Sequence, residues 1–344
     1  MSVMNSCALA PAAVPFPVPG RESNYGAFVA NSQRFFAEHA RFGEKLQTAD
    51  GLQLQTVSFR HPPSCESRGS VVLVHGLTEN IEKYHEIIYD FYHAGYDVHM
   101  YDQRGHADSS HETDRDGVRV HERNFDNRVT DLMQFLRERV VPQADGKPVV
   151  ALGHSMGGMV LARTLALQGE NTPITAAVLS SPMLGIKSPM NKRLAEGLAR
   201  LAGVVGLGDR LVPGQPESKI FHGDRGPREV NSFLHAPAQG PVTFGAAGEF
   251  LRVCRQFPAI SDRISVPMMI MRSGHDSLVE GEAMSDLAAR TGAQIVDFPD
   301  SRHEPWNEDD RIHQKWNDKI VGFFEKHTEA EAFPLLQPDR YLRV

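Results

Sequence analysis

The sequence predicts an α/β fold in which helices cover both faces of a mostly parallel central sheet and a helical insertion caps the strand ends. Short apolar runs alternate with amphipathic helical stretches along most of the chain, the pattern of successive βαβ units. That alternation breaks once, between Pro182 and Ser265, where apolar residues recur every three or four positions instead. At 344 residues the chain suits one large unit carrying an insertion better than two equal domains.

Taken in order, residues 1–22 are rich in Pro and Ala, and NYGAFVANSQRFFAEHAR (24–41) has helical spacing, so 1–41 reads as an N-terminal extension and helix. LQLQTVSF (52–59) alternates like a half-exposed strand, and SVVLVH (70–75) is a continuous apolar run expected of a strand buried on both faces. A helix over 83–94 precedes the strand YDVHMYD (96–102), and a helix over 124–140 precedes PVVALG (148–153). The strands ITAAVLSS (174–181), VPMMIMRSG (266–274) and AQIVDF (293–298) follow, then a closing helix over 309–327. The expected body is therefore 42–182 with 263–328, the cap is 183–262, and 329–344 is a tail. Within the cap, Met190, Leu194, Leu198, Leu201 and Val205 mark one apolar helix face.

Composition narrows the function classes. Hydrophobic residues at 41% and charged residues at 23% describe an ordinary soluble globular protein. A net charge of −7 without any cluster of Lys and Arg makes nucleic acid an unexpected partner. Cys7, Cys65 and Cys254 are odd in number and widely spaced, which supports neither a disulfide framework nor a zinc site and suggests a reducing compartment. No 18-residue apolar run exists, and the N-terminus lacks a basic segment before its proline-broken apolar stretch. The expected location is cytoplasmic.

The chemistry concentrates in VVALGHSMGGMVLARTLAL (149–167). Gly153-His154-Ser155-Met156-Gly157 fits G-x-S-x-G, in which a serine rides a sharp turn from strand to helix and flanking glycines let two backbone segments approach. A strand before the motif and a helix after it supply that context. A serine hydroxyl is a weak nucleophile at neutral pH, so it needs a base, and the base needs a carboxylate to orient it. Asp276 and His303 each follow one of the two late strands, giving the chain order Ser155, Asp276, His303; Glu280 and Asp297 stand close enough to compete with Asp276. Two backbone amides are expected to form the oxyanion hole, that of Met156 at the helix N-terminus and that of Leu77 just beyond His75-Gly76. HEIIY (85–89) and HEPWN (303–307) begin like zinc motifs but lack the second histidine, and no dinucleotide or phosphate loop occurs, so neither metal nor cofactor is expected.

With HGLTENIEKY (75–84), YDQRGHADS (101–109), GHSMGG (153–158), SSPMLGI (180–186) and HEPWNE (303–308), the chain resembles the serine α/β-hydrolases, and within them the group of monoacylglycerol lipases and bacterial lysophospholipases. In that group the His-Gly loop continues to a glutamate and a tyrosine, matched here by Glu79 and Tyr84, while His303, Glu304 and Glu308 resemble the lysophospholipase side. Ala107 departs from the group, which has glycine there, and this implies a different turn beside Asp102 and Arg104. The resemblance implies an α/β-hydrolase fold and hydrolysis of a single-chain lipid ester, either a lysophospholipid or a monoacylglycerol, through an acyl-enzyme and without a cofactor. A general carboxylesterase, an acyltransferase or a non-catalytic binding protein could use the same fold. The cap holds ten basic and seven acidic residues, so it could touch an anionic inner-membrane surface. The plainer account is that its helices are amphipathic because they pack on the core. Oligomeric state is left open.

Overall fold

A computed structural model describes residues 25–110, 120–188, 190–212 and 242–328. An eight-stranded sheet runs in the order β1-β4-β6-β5-β7-β8-β9-β10. Its centre is β5 (Ser70–Val74), flanked by β6 (Asp97–Tyr101) and β7 (Val149–His154), then β8 (Ile174–Ser180), β9 (Met268–Ser273) and β10 (Gln294–Phe298), all parallel. β4 (Thr56–Phe59) and β1 (Arg41–Phe42) add an antiparallel edge, and β2 (Leu46–Gln47) with β3 (Gln53–Leu54) form a separate small ladder. The run 52–59, expected as one strand, is thus divided between two sheets.

Alternation along the central strands sends side chains to opposite cores. Val72, Val74 and Ala151 meet α3 (Asp126–Phe135), α5 (Met156–Gln168) and α8 (Gly281–Thr291) on one face. Val71, Leu73, Val150 and Leu152 meet α1 (Tyr25–His39), α2 (His85–His93) and α9 (Asp310–Thr328) on the other. α8 answers to no element expected from the sequence, although Met284, Leu287 and Ala288 form its core-facing side. The helix expected over 124–140 departs from α geometry after Phe135, widening through 136–140 into α4 (Val141–Ala144). Pro142 offers no N–H to the preceding turn, which accounts for the irregularity.

Between β8 and β9 lie α6 (Lys192–Val204) and α7 (Phe244–Gln256), joined by a two-pronged pair of Arg255 with Glu196 at 2.8 and 2.9 Å. α7 reaches the first core through Ala246, Phe250 and Val253. The remainder of the expected cap, 213–241, lies outside the described residues, as do 1–24 and 329–344. One expectation fails here. Cys65 is disulfide-bonded while Cys254 is a free thiol, so cysteine usage gives no ground for a reducing compartment. Among the described residues no helix is long and apolar enough to cross a membrane.

Candidate active site

β7 ends in His154 and α5 begins at Met156, so one residue, Ser155, makes the whole turn. It does so at φ 51° and ψ −118°, a conformation that a side chain rarely adopts. The turn is held by the Ser155 N–H donating to Ser180 O at 3.0 Å, while Ser155 O accepts from Met183 N at 2.9 Å. Glycines permit the close approach: a Cβ on Gly157 would lie 2.1 Å from Val74 O, and one on Gly153 would lie 2.7 Å from Gly157 O. The Ser155 turn is therefore pressed against the end of β5, where the loop bearing Leu77 begins.

The loops after β9 and β10 bring the other two expected residues to this turn. His303 Nε2 lies 2.9 Å from Ser155 Oγ, placed to accept its proton, and His303 Nδ1 donates to Asp276 Oδ2 at 2.7 Å. Asp276 Oδ1 accepts from the Leu278 and Val279 amides at 2.8 and 3.1 Å. Burial would raise this carboxyl, but the hydrogen bond and charge of His303, with those two amides, hold it below the usual range. The competing carboxylates are engaged elsewhere, Glu280 with Lys192 and Asp297 with Arg272.

The loop of 75–84 forms a wall beside Ser155. Its geometry is set by several contacts: His75 Nε2 accepts from Gln103 N at 2.9 Å, Ile81 N donates to Asp102 Oδ1 at 2.8 Å, and Gly76 N donates to Glu79 Oε2 at 2.5 Å. Among the described residues no hydrogen bond claims the Leu77 N–H, and Met156 N opens α5, so both expected oxyanion donors face no internal competitor. The Gly76 amide, in contrast, is consumed by Glu79. Thr78 takes φ 62°, a strained value for a β-branched residue. Ala107 stands at φ 43°, so the position where the resembling group has glycine is left-handed here, with alanine bearing the strain. The adjoining Arg104 pairs with Asp131 at 2.7 Å and Asp50 at 2.8 Å, anchoring that turn.

Several site-shaping residues were not singled out from sequence. Lys83 Nζ lies 2.7 Å from Glu79 Oε1 and 2.5 Å from Glu304 Oε1. Tyr84 Oη donates to Glu79 Oε2 at 2.8 Å, and Asn307 Nδ2 donates to Glu304 Oε2 at 2.6 Å. The His154 ring packs 4.8 Å from that of His303 and 4.4 Å from Trp306. Burial pushes His154 down to about 3, so its imidazole is neutral. Burial would also raise Glu79, yet the Lys83 ammonium, with hydrogen bonds from Lys83 and Tyr84, holds it below the usual carboxylate range, whereas at Glu304 burial prevails and raises it. Of this group Glu79, Tyr84 and Glu304 stand out in the sequence through the family resemblance, whereas Lys83, Asn307 and Trp306 carry no such signal. Glu79, His154 and Glu304 offer possible metal-ligand atoms within 4.8 Å of one another, but the Lys83 ammonium already supplies the positive charge between the two carboxylates.

A family model described as serine aminopeptidase, S33, matches residues 65–310, well over half of the chain. The chain belongs to this family. Within it the chain is similar to lysophospholipase L2 of Escherichia coli (strain K12), 35% identical over 332 residues that cover 91% of this chain and 95% of that protein. It is 28% identical over 257 residues to a monoacylglycerol lipase of Mycolicibacterium smegmatis, covering 72% and 85%. A crystal structure of a soluble variant of monoglyceride lipase from Saccharomyces cerevisiae superposes with a TM-score of 0.68 at 19% identity, over 83% of this chain and 96% of that one. That likeness establishes the α/β-hydrolase fold for this family member.

Proposed function

We propose that this chain is a serine hydrolase that cleaves the carboxylic ester of a single-chain lipid, with Ser155 as nucleophile, His303 as general base and acid, and Asp276 orienting His303. The observation that carries the reading is the continuous relay from Ser155 Oγ through the His303 ring to Asp276, at 2.9 and 2.7 Å. Ser155 attacks the ester carbonyl as its proton passes to His303 Nε2. The resulting oxyanion is held by the Leu77 and Met156 amides, the latter at the positive end of α5. Protonated His303 then gives its proton to the leaving alcohol, and water repeats the sequence on the acyl-enzyme. Asp276, buried yet ionised, stabilises the imidazolium formed at each step.

Between the two lipid classes we favour a lysophospholipid, because the longer and more identical match is to a protein named lysophospholipase L2. Peripheral contact with an anionic membrane through α6 is part of the same proposal. Leu194, Leu198 and Leu201 on that helix are about half exposed, and Lys192, Arg193 and Arg200 lie among them.

The test is labelling by a fluorophosphonate probe together with fatty-acid release from a lysophospholipid, a monoacylglycerol and a short-chain ester. We expect labelling and release by the wild type and neither by Ser155→Ala. An aminoacyl anilide serves as control for the peptidase activity in the family's description. Wild-type protein that neither labels nor releases fatty acid would show the reading to be wrong; release from monoacylglycerol alone would overturn only the choice of lipid.

A further inference from the structure

We infer that Lys83 is a positioning residue for this hydrolysis: its ammonium fastens the loop carrying the Leu77 amide to the loop carrying His303. The inference rests on the proposed roles of Ser155, His303 and the Leu77 amide, since it gives Lys83 a task only if those loops act on one carbonyl.

Lys83 is 9% exposed at its side chain and lies four residues beyond Glu79. One carboxylate partner, Glu79, is a near neighbour in sequence; the other, Glu304, lies 221 residues from Lys83 and directly follows His303. The remaining oxygens of these acids are also taken. Glu79 Oε2 receives the Gly76 amide at 2.5 Å and the Tyr84 hydroxyl at 2.8 Å, and Glu304 Oε2 receives the Asn307 amide at 2.6 Å. The chain of contacts therefore runs from the peptide just before Leu77, through Glu79, Lys83 and Glu304, to the residue after the catalytic base. His154 closes the circuit from the nucleophile turn, its Nε2 3.9 Å from Glu79 Oε1 and its ring against His303.

Such a network is a poor source of stability. Removing three charged groups from water costs as much as their attraction returns, and well-packed apolar residues often do as well. Its effect should appear in geometry instead. An oxyanion donor must be placed within about 0.5 Å of its working position. Leu77 sits between Thr78 at φ 62° and a glycine whose amide is tied to Glu79; the peptide bearing the Leu77 N–H is itself held at Gly76 O by His75 Nδ1 at 2.7 Å, so freeing Gly76 from Glu79 would shift and tilt that peptide about this remaining contact. Without Lys83, Glu79 and Glu304 would face each other as buried like charges, and Glu79 would lose the partner that holds it under the Gly76 amide.

The experiment compares wild type, Lys83→Met and the double variant Lys83→Met/Glu304→Gln. It measures kcat and KM on p-nitrophenyl butyrate, the rate of fluorophosphonate labelling, and Tm. For Lys83→Met we expect kcat to fall roughly 100-fold, as for loss of an oxyanion donor, with KM within about threefold and labelling slowed in parallel. The double variant removes the repulsion between the two acids and leaves one buried carboxylate, Glu79, still held by the Gly76 amide and the Tyr84 hydroxyl, so its Tm should recover in large part while its kcat stays within about threefold of the single variant. Recovery of kcat in the double variant would show that the defect was only a stranded charge and would overturn the inference. So would a folded Lys83→Met with near wild-type kcat, or failure of both variants to fold, which would make the bridge a folding element. Absence of activity and labelling in the wild type would instead defeat the proposed function.

Discussion

At the scale of single residues, the site is decided by who can approach whom. Gly157 is the tightest example. A methyl group there would meet Val74 O at 2.1 Å and His75 O at 2.4 Å, both backbone atoms that cannot rotate aside. Gly157→Ala must therefore push α5 from the end of β5, at a cost of about 3 kcal/mol or more, and thermal unfolding should show a drop of several degrees with loss of fluorophosphonate labelling. A variant with wild-type Tm and labelling would mean that the two segments are not in contact. The G-x-S-x-G pattern made Ser155 legible because its requirements are local: a strand, one strained residue, a helix. Lys83 was not legible, because a lysine four residues after a glutamate is an ordinary surface pair until the second acid is known. Ala107 was visible as a departure from the group, but only its φ of 43° shows that alanine occupies a left-handed position.

At the scale of elements, α6 reverses the simpler expectation. The apolar spacing of Met190, Leu194, Leu198, Leu201 and Val205 suggested a face packed on the core, yet these residues are 46 to 59% exposed while Glu196 and Ala199 are buried. The helix turns its charged residue Glu196 inward because Arg255 of α7 receives it there. Replacing two outward leucines, Leu194→Asp/Leu201→Asp, should reduce co-sedimentation with phosphatidylglycerol vesicles by roughly 10-fold or more, while kcat/KM on a soluble short-chain ester stays unchanged. Equal sedimentation of variant and wild type would remove α6 as the contact. Periodicity correctly located the helix and its apolar side, but it carries no information on whether that side faces protein or solvent.

At the scale of the whole molecule, burial of neutral imidazoles shapes the response to acid. His75, His85 and His99 are pushed down to about 4, and His154 to about 3, in each case chiefly by burial. Unfolded, these groups titrate near 6.5. Above that value both states are neutral and the stability is fully present. As pH falls through 6.5 toward 4, the unfolded chain binds protons that the folded one refuses, costing about 1.4 kcal/mol per pH unit for each histidine. Asp102 runs the other way: burial raises it to about 7, so between about 7 and 4 the folded state keeps a proton and gains stability as pH falls. The lowered imidazoles outweigh Asp102 and the other acids raised by burial, so Tm should be nearly level from pH 8 to 7 and fall steeply from 6 to 4. A Tm unchanged between pH 7 and 4.5 would show that these imidazoles are not buried neutral.

The sequence by itself determined the central parallel strands and most of the helices between them, the strand-to-helix turn at Ser155, and the two late loops that carry Asp276 and His303. Each of these follows from hydrophobic period and glycine placement, which act over a few neighbouring residues. Tertiary structure alone decided that Glu280 and Asp297 are spent on Lys192 and Arg272, that Lys83 spans two loops, and that the apolar side of α6 faces outward. The physical reason is the same in each case. The consequence of a charge or an apolar face depends on what lies opposite, and here the opposing residues are distant in sequence and meet only when the sheet brings their loops together.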